Sequence, residues 1–133
     1  MSRPGRARSE RQFVSRGRPY ALERMQHMVE AADAIEAYAS RGRDAFDADS
    51  TVRDAILYRI TTIGEAAKAV IAADSTIETE VPDVEWSLWA KMRDRITHQY
   101  WATDSNIVWT TVTRDVPAMR AKVLIAITRL APS

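Results

Sequence analysis

The chain contains no cysteine. That absence removes disulfides and cysteine-based zinc sites together, and it makes a reducing cytoplasm the natural compartment. Histidine is scarce as well. His27 and His98 are the only two, too few for a histidine-rich metal site, so no metal and no cofactor is expected. No strand-flanked glycine-rich phosphate loop occurs, no stretch alternates convincingly with period two, and no repeat is visible. No apolar run approaches the roughly 20 residues of a membrane span. The N-terminus is basic but lacks an apolar core segment, which argues against a secretory signal.

What is present is a length of 133 residues, which fits one domain and allows about two-thirds of the unfolded surface to be buried. Charge is unevenly spread. Residues 1–19 carry six Arg against one Glu, for a local charge of +5, while the remainder carries −4. Residues 1–19 are also rich in Gly, Ser and Pro and read as a basic, disordered arm, either an electrostatic RNA contact or a dispensable extension. Residues 20–131 form the folded part. Because that part is mildly acidic, any contact with nucleic acid needs a local basic cleft.

Helical periodicity begins at Tyr20. Leu22, Met25, Val29, Ala32, Ile35 and Ala39 recur at three- and four-residue steps, the mark of one buried stripe. Gly42 is placed to end that helix in a left-handed cap. Asp49 and Ser50 offer an N-cap to a second helix, with Val52, Ile56, Ile60, Ile63, Ala67 and Val70 inward. Gly64 sits in its middle at a cost of about 1 kcal/mol, which a close helix–helix approach explains. Asp74 to Pro82 reads as a connector. Asp83 is a candidate cap for a third helix carrying Trp86, Leu88, Trp89, Met92 and Ile96. Asp104 and Ser105 are placed to cap a last helix, in which Pro117 predicts a kink. The expected fold is all-α, an up-down bundle of four to five helices.

The third helix bears the chemistry. Arg93 is a permanent cation suited to phosphate, His98 carries an imidazole whose ordinary pKa near 6.5 suits proton transfer at neutral pH, and Tyr100 offers a phenol. Lys91 and Arg95 add charge. The set fits phosphodiester chemistry on RNA, where the ribose 2′-hydroxyl is a built-in nucleophile. A solvated helix face or an interface carries the same residue types. Arg93 and His98 are five residues apart, roughly 140° around an ideal helix, so they do not converge on one straight helix. Either the helix ends near His98, or a second subunit completes the site. Glu65 beside Gly64 is either a solvated carboxylate or a holder for the Arg93 guanidinium. His27 reads as a surface residue and Trp109 as packing. Trp101 is open between packing and base stacking.

Residues 20–130 resemble the HepT-type toxins of the HEPN superfamily. "LERMQHMVEAADAIEAY" is similar to that family's first helix and "VRDAILYRITTIGEAAKAV" to its second, with Ile63-Gly64-Glu65-Ala66. "VEWSLWAKMRDRITHQY" holds the R-x4-H-x-Y motif as Arg93, His98 and Tyr100, and "DSNIVWTTVTRDVPAM" resembles the last helix. Two departures stand out: Asp94 replaces an Asn common in relatives, and Trp101-Ala102 replaces an aromatic-Gly pair. The resemblance implies a HEPN-like homodimer with both motifs lining a shared cleft. It implies a metal-independent endoribonuclease acting on tRNA or mRNA as the toxin of a toxin–antitoxin system. The partner it implies is an MntA-type nucleotidyltransferase antitoxin that adds AMP to Tyr100. Arg93 and His98 would be catalytic, with Asp94, Tyr100 and Glu65 supporting. The alternative is a non-catalytic substrate-binding partner subunit of a nucleotidyltransferase.

Overall fold

The computed structural model describes residues 17–99 and 104–132. Among them the regular structure is entirely helical. In chain order it comprises α1 (Gly17–Ala39), α2 (Arg43–Ala48), α3 (Ser50–Ala73), α4 (Ile77–Glu80), a 3-10 turn (Pro82–Val84), α5 (Trp86–Gln99), α6 (Ser105–Thr110), a π-helical segment (Thr111–Asp115) and α7 (Val116–Leu130). The all-α expectation holds, but the expected count of four to five is exceeded. Taking 105–130 as one rod, the described residues hold six helices. The two additions, α2 and α4, span only 6 and 4 residues, too short to show a 3.6-residue period.

The helix boundaries follow local chemistry. α1 begins at Gly17, inside the stretch read as a basic arm. Arg18 already belongs to the fold, pairing with Asp74 at 2.7 Å and Glu80 at 2.8 Å. The arm's remainder, residues 1–16, lies outside the described residues. α1 and α2 are separated by Gly42, whose φ of +93° a side chain would strain. Asp49 caps α3 by accepting from the Thr51 N–H at 2.9 Å, and Asp104 caps α6 by accepting from Asn106 at 2.7 Å. Asp83 does not cap α5. It lies in the 3-10 turn, and α5 starts after Glu85, whose backbone is left-handed at φ 59°. The start of α5 is tied down by Trp86, whose indole N–H donates to the Val81 carbonyl at 2.9 Å. Pro117 is the second residue after the π segment, behind Val116. The residue four before it, Thr113, lies inside that segment, so the wider turn falls where the proline ring would crowd a normal helix.

The core lies between α1 and α3, the most extensive helix pairing, and continues to α5 on one side and α7 on the other. Met25, Met28, Ile35, Ile56, Ile60, Ile63, Val70 and Trp86 are fully buried at its centre, each contributing about 1.5–3 kcal/mol by leaving water. Leu88 is exposed. Trp109 packs on Phe46 with ring centroids 5.2 Å apart and is flanked by the Arg43 guanidinium.

The contact that positions the site is the crossing of α3 and α5. A methyl group at Gly64 would collide with the Arg93 Cβ and stand 2.7 Å from the Trp89 carbonyl oxygen. The two helices therefore touch at Gly64 with nothing between them, as its mid-helix position implied.

Candidate functional site

Arg93 leaves α5 at this joint with its stem pressed on Gly64. Its guanidinium runs along the surface of α3. Nη2 donates to Glu65 Oε1 at 2.9 Å and Nη1 donates to Asp94 Oδ1 at 3.1 Å. Nε is buried without a hydrogen-bond partner, as happens where packing on Gly64 leaves no room for an acceptor. The side chain is 25% exposed, so the outer edge of the fork faces solvent. Glu65 first, then Asp94, raise the guanidinium's pKa further above its already high value. Asp94 is held below the usual carboxylate range, by Arg93 first and then by Lys68. Lys68, also on α3, reaches the same Asp94 oxygen at 3.3 Å.

His98 stands one turn beyond Asp94 on α5 and is exposed. Its Nδ1 lies 2.7 Å from the Asp94 backbone carbonyl. A carbonyl oxygen can only accept, so in this orientation Nδ1 carries the proton, and Nε2 of the neutral ring is left with its lone pair directed away from the helix. The Asp94 carboxylate does not orient His98; the main chain at position 94 does, and any residue there supplies it. Thr97 caps the same carbonyl row by donating to the Arg93 oxygen at 2.9 Å.

The structure thus brings Glu65, Arg93 and Asp94 into one cluster and attaches His98 to it through a backbone oxygen. Tyr100, with Trp101 and Ala102, lies outside the described residues. Lys68 is the member that sequence reasoning missed. A lysine on an exposed helix face carries no signal of its own, although its three-residue step from Glu65 puts it on the same side of α3. Among the described residues no group of three or more His, Asp or Glu is placed to hold a metal ion, and none of the helices is long and apolar enough to cross a membrane.

The arrangement offers a fixed guanidinium and, on the next turn of α5, an exposed imidazole, the two kinds of group that cleavage of a phosphodiester by its own neighbouring hydroxyl requires. Comparison with known proteins points the same way. Residues 28–124 match the family model described as "Ribonuclease HepT-like". A protein of Thermococcus cleftensis named "Probable ribonuclease HepT" is 29% identical over 100 residues, 72% of this chain and 88% of that one. A "Putative RNase" of Caldanaerobacter subterraneus subsp. tengcongensis is 26% identical over 107 residues, 80% of this chain and 89% of that one. A "Gamma-glutamylcyclotransferase and putative RNase" of Methanocaldococcus jannaschii is 29% identical over 101 residues; these are 75% of this chain but only 44% of that longer protein. No solved structure matches.

Proposed function

The chain belongs to the ribonuclease HepT-like family, and from that premise we propose that it is a metal-independent endoribonuclease, the toxin of a toxin–antitoxin pair. The observation that carries this reading is the Arg93–Glu65–Asp94 cluster at the α3–α5 crossing, with the exposed His98 held by its Nδ1 one turn further along α5. In the reaction, His98 Nε2 takes the proton of the ribose 2′-hydroxyl. The 2′-oxygen attacks phosphorus, the bond to the 5′-oxygen breaks, and the leaving oxygen takes a proton from the imidazolium so formed or from water. Arg93 faces the phosphorane oxygens as their charge grows, a contact worth roughly 3 kcal/mol in the transition state. Glu65 holds the guanidinium at its place on α3.

Arg93 is anchored inward on Gly64, whereas His98 is exposed on the far turn of α5. We therefore read the working cleft as shared between two copies of the chain, each supplying one member of the pair. The controlling partner in this reading is a nucleotidyltransferase antitoxin of the MntA type, and Tyr100 is its AMP acceptor. An added AMP brings bulk and negative charge into a cleft that receives phosphate, and so opposes RNA binding.

The test is cleavage of tRNA and mRNA by purified protein in the presence of a metal chelator. His98→Ala should lower the rate by about 10²–10⁴-fold, and Arg93→Ala by at least about 10²-fold. A His98→Ala protein that cuts at the wild-type rate removes the mechanism.

A further inference from the structure

One carboxylate oxygen in the cluster does two jobs. Asp94 Oδ1 accepts from Arg93 Nη1 at 3.1 Å and from Lys68 Nζ at 3.3 Å. Two cations from two helices converge on a single anionic oxygen, which is how a non-bridging phosphate oxygen is bound. Extending the nuclease reading, on which it rests, we propose that Lys68 is a second phosphate-binding cation of the cleft and that the Asp94 carboxylate is an internal substitute for the substrate phosphate, displaced when RNA binds.

The charges support an exchange. Arg93 and Lys68 are balanced by Glu65 and Asp94, so the cluster as it stands is neutral and offers a polyanion little attraction. Of the two carboxylates, Glu65 shares α3 with Lys68 and accepts from Arg93 at 2.9 Å. Asp94 is the one that joins both cations. It is about half exposed, as is Lys68, and exposed pairs of this kind contribute little to stability. A phosphate that reaches both cations can therefore replace the carboxylate at small cost. Lys68 suits the exchange because its ammonium is a point charge on a flexible stem and can follow an incoming oxygen. Asp94 is held below the usual carboxylate range, so near neutral pH protonation does not move it aside, and displacement has to be by competition.

The experiment measures binding of a mixed-sequence 2′-O-methyl oligoribonucleotide, which has the phosphates but no nucleophile, across a range of KCl concentrations. Removing one phosphate contact makes the slope of log affinity against log salt shallower by about 0.7 for a single strand. Lys68→Ala should show that change together with several-fold weaker binding, and Lys68→Arg should restore the slope. Asp94→Asn should tighten binding, and should do so less when Lys68 is also Ala, because the two substitutions act on one contact. An unchanged slope in Lys68→Ala, or weaker binding in Asp94→Asn, overturns the proposal. If the wild type binds the probe and cleaves ordinary RNA while Lys68→Ala keeps the slope, this proposal falls and the nuclease reading stands. If the wild type neither binds nor cleaves RNA, the nuclease reading falls and takes this one with it.

Discussion

At position 64 the absence of a single methyl group decides where Arg93 stands. Introducing one by Gly64→Ala drives a carbon into the Arg93 stem and the Trp89 carbonyl. Overpacking of this kind costs about 1–3 kcal/mol, against about 1 kcal/mol that alanine gains over glycine inside a helix. The variant should have a lower urea midpoint, and its cleavage rate should fall further than the stability loss accounts for, because α5 can only retreat by carrying Arg93 away from Glu65. Equal activity in the two folded proteins would show that the joint has no role in placing the guanidinium. This part of the site was legible in the sequence, since a glycine in mid-helix has to be explained and close approach explains it. Glu65 was legible for the same reason, being next to that glycine. The inward tether of His98 was not, because it runs to a main-chain oxygen and leaves no trace in residue type.

Among whole elements, the end of the bundle at the start of α1 is held by charge. Arg18 bridges Asp74, just past α3, and Glu80, at the end of α4. Burial alone would push the Asp74 carboxyl up, but hydrogen bonds from Thr76 and Arg18 outweigh it and hold the group below its ordinary value. A carboxylate whose folded pKa lies below its unfolded value near 3.9 stabilises above that pH, and the contribution is lost as pH falls through the folded value. Arg18→Met should therefore unfold more easily than the wild type at pH 7, by on the order of 1 kcal/mol for a pair on the surface. The gap should narrow towards pH 3 in paired thermal melts. A gap that is constant with pH would assign the loss to packing of the arginine stem. Sequence reasoning placed α1, α3, α5 and the 105–130 rod because each is long enough to repeat its apolar stripe. It missed α2 and α4, which are single turns or little more. It also set the arm's end at residue 19, because a run of arginines conceals the one that finds carboxylate partners.

For the molecule as a whole, the nuclease reading makes a statement about two chains together. If Arg93 of one copy serves His98 of the other, the Arg93→Ala and His98→Ala proteins, each inactive alone, should recover activity when refolded together. A mixed dimer then contains one cleft in which both side chains are intact, so up to half of the wild-type activity should return to that species. Co-refolded mixtures that stay inactive would mean that both groups act within one chain. The family and the helical fold were readable from four ordered segments of sequence. The internal balance of charge around Arg93 was not, because it depends on which side chains face each other across the α3–α5 crossing. That crossing has one further consequence. With no side chain between the helices, the first carbons of Arg93 are confined by the backbone itself, so much of the roughly 2 kcal/mol of rotational freedom that a loose arginine gives up on gripping an anion is surrendered during folding. The cation is thus preorganised, and what has to move when a ribose-phosphate strand arrives is the carboxylate beside it rather than the guanidinium.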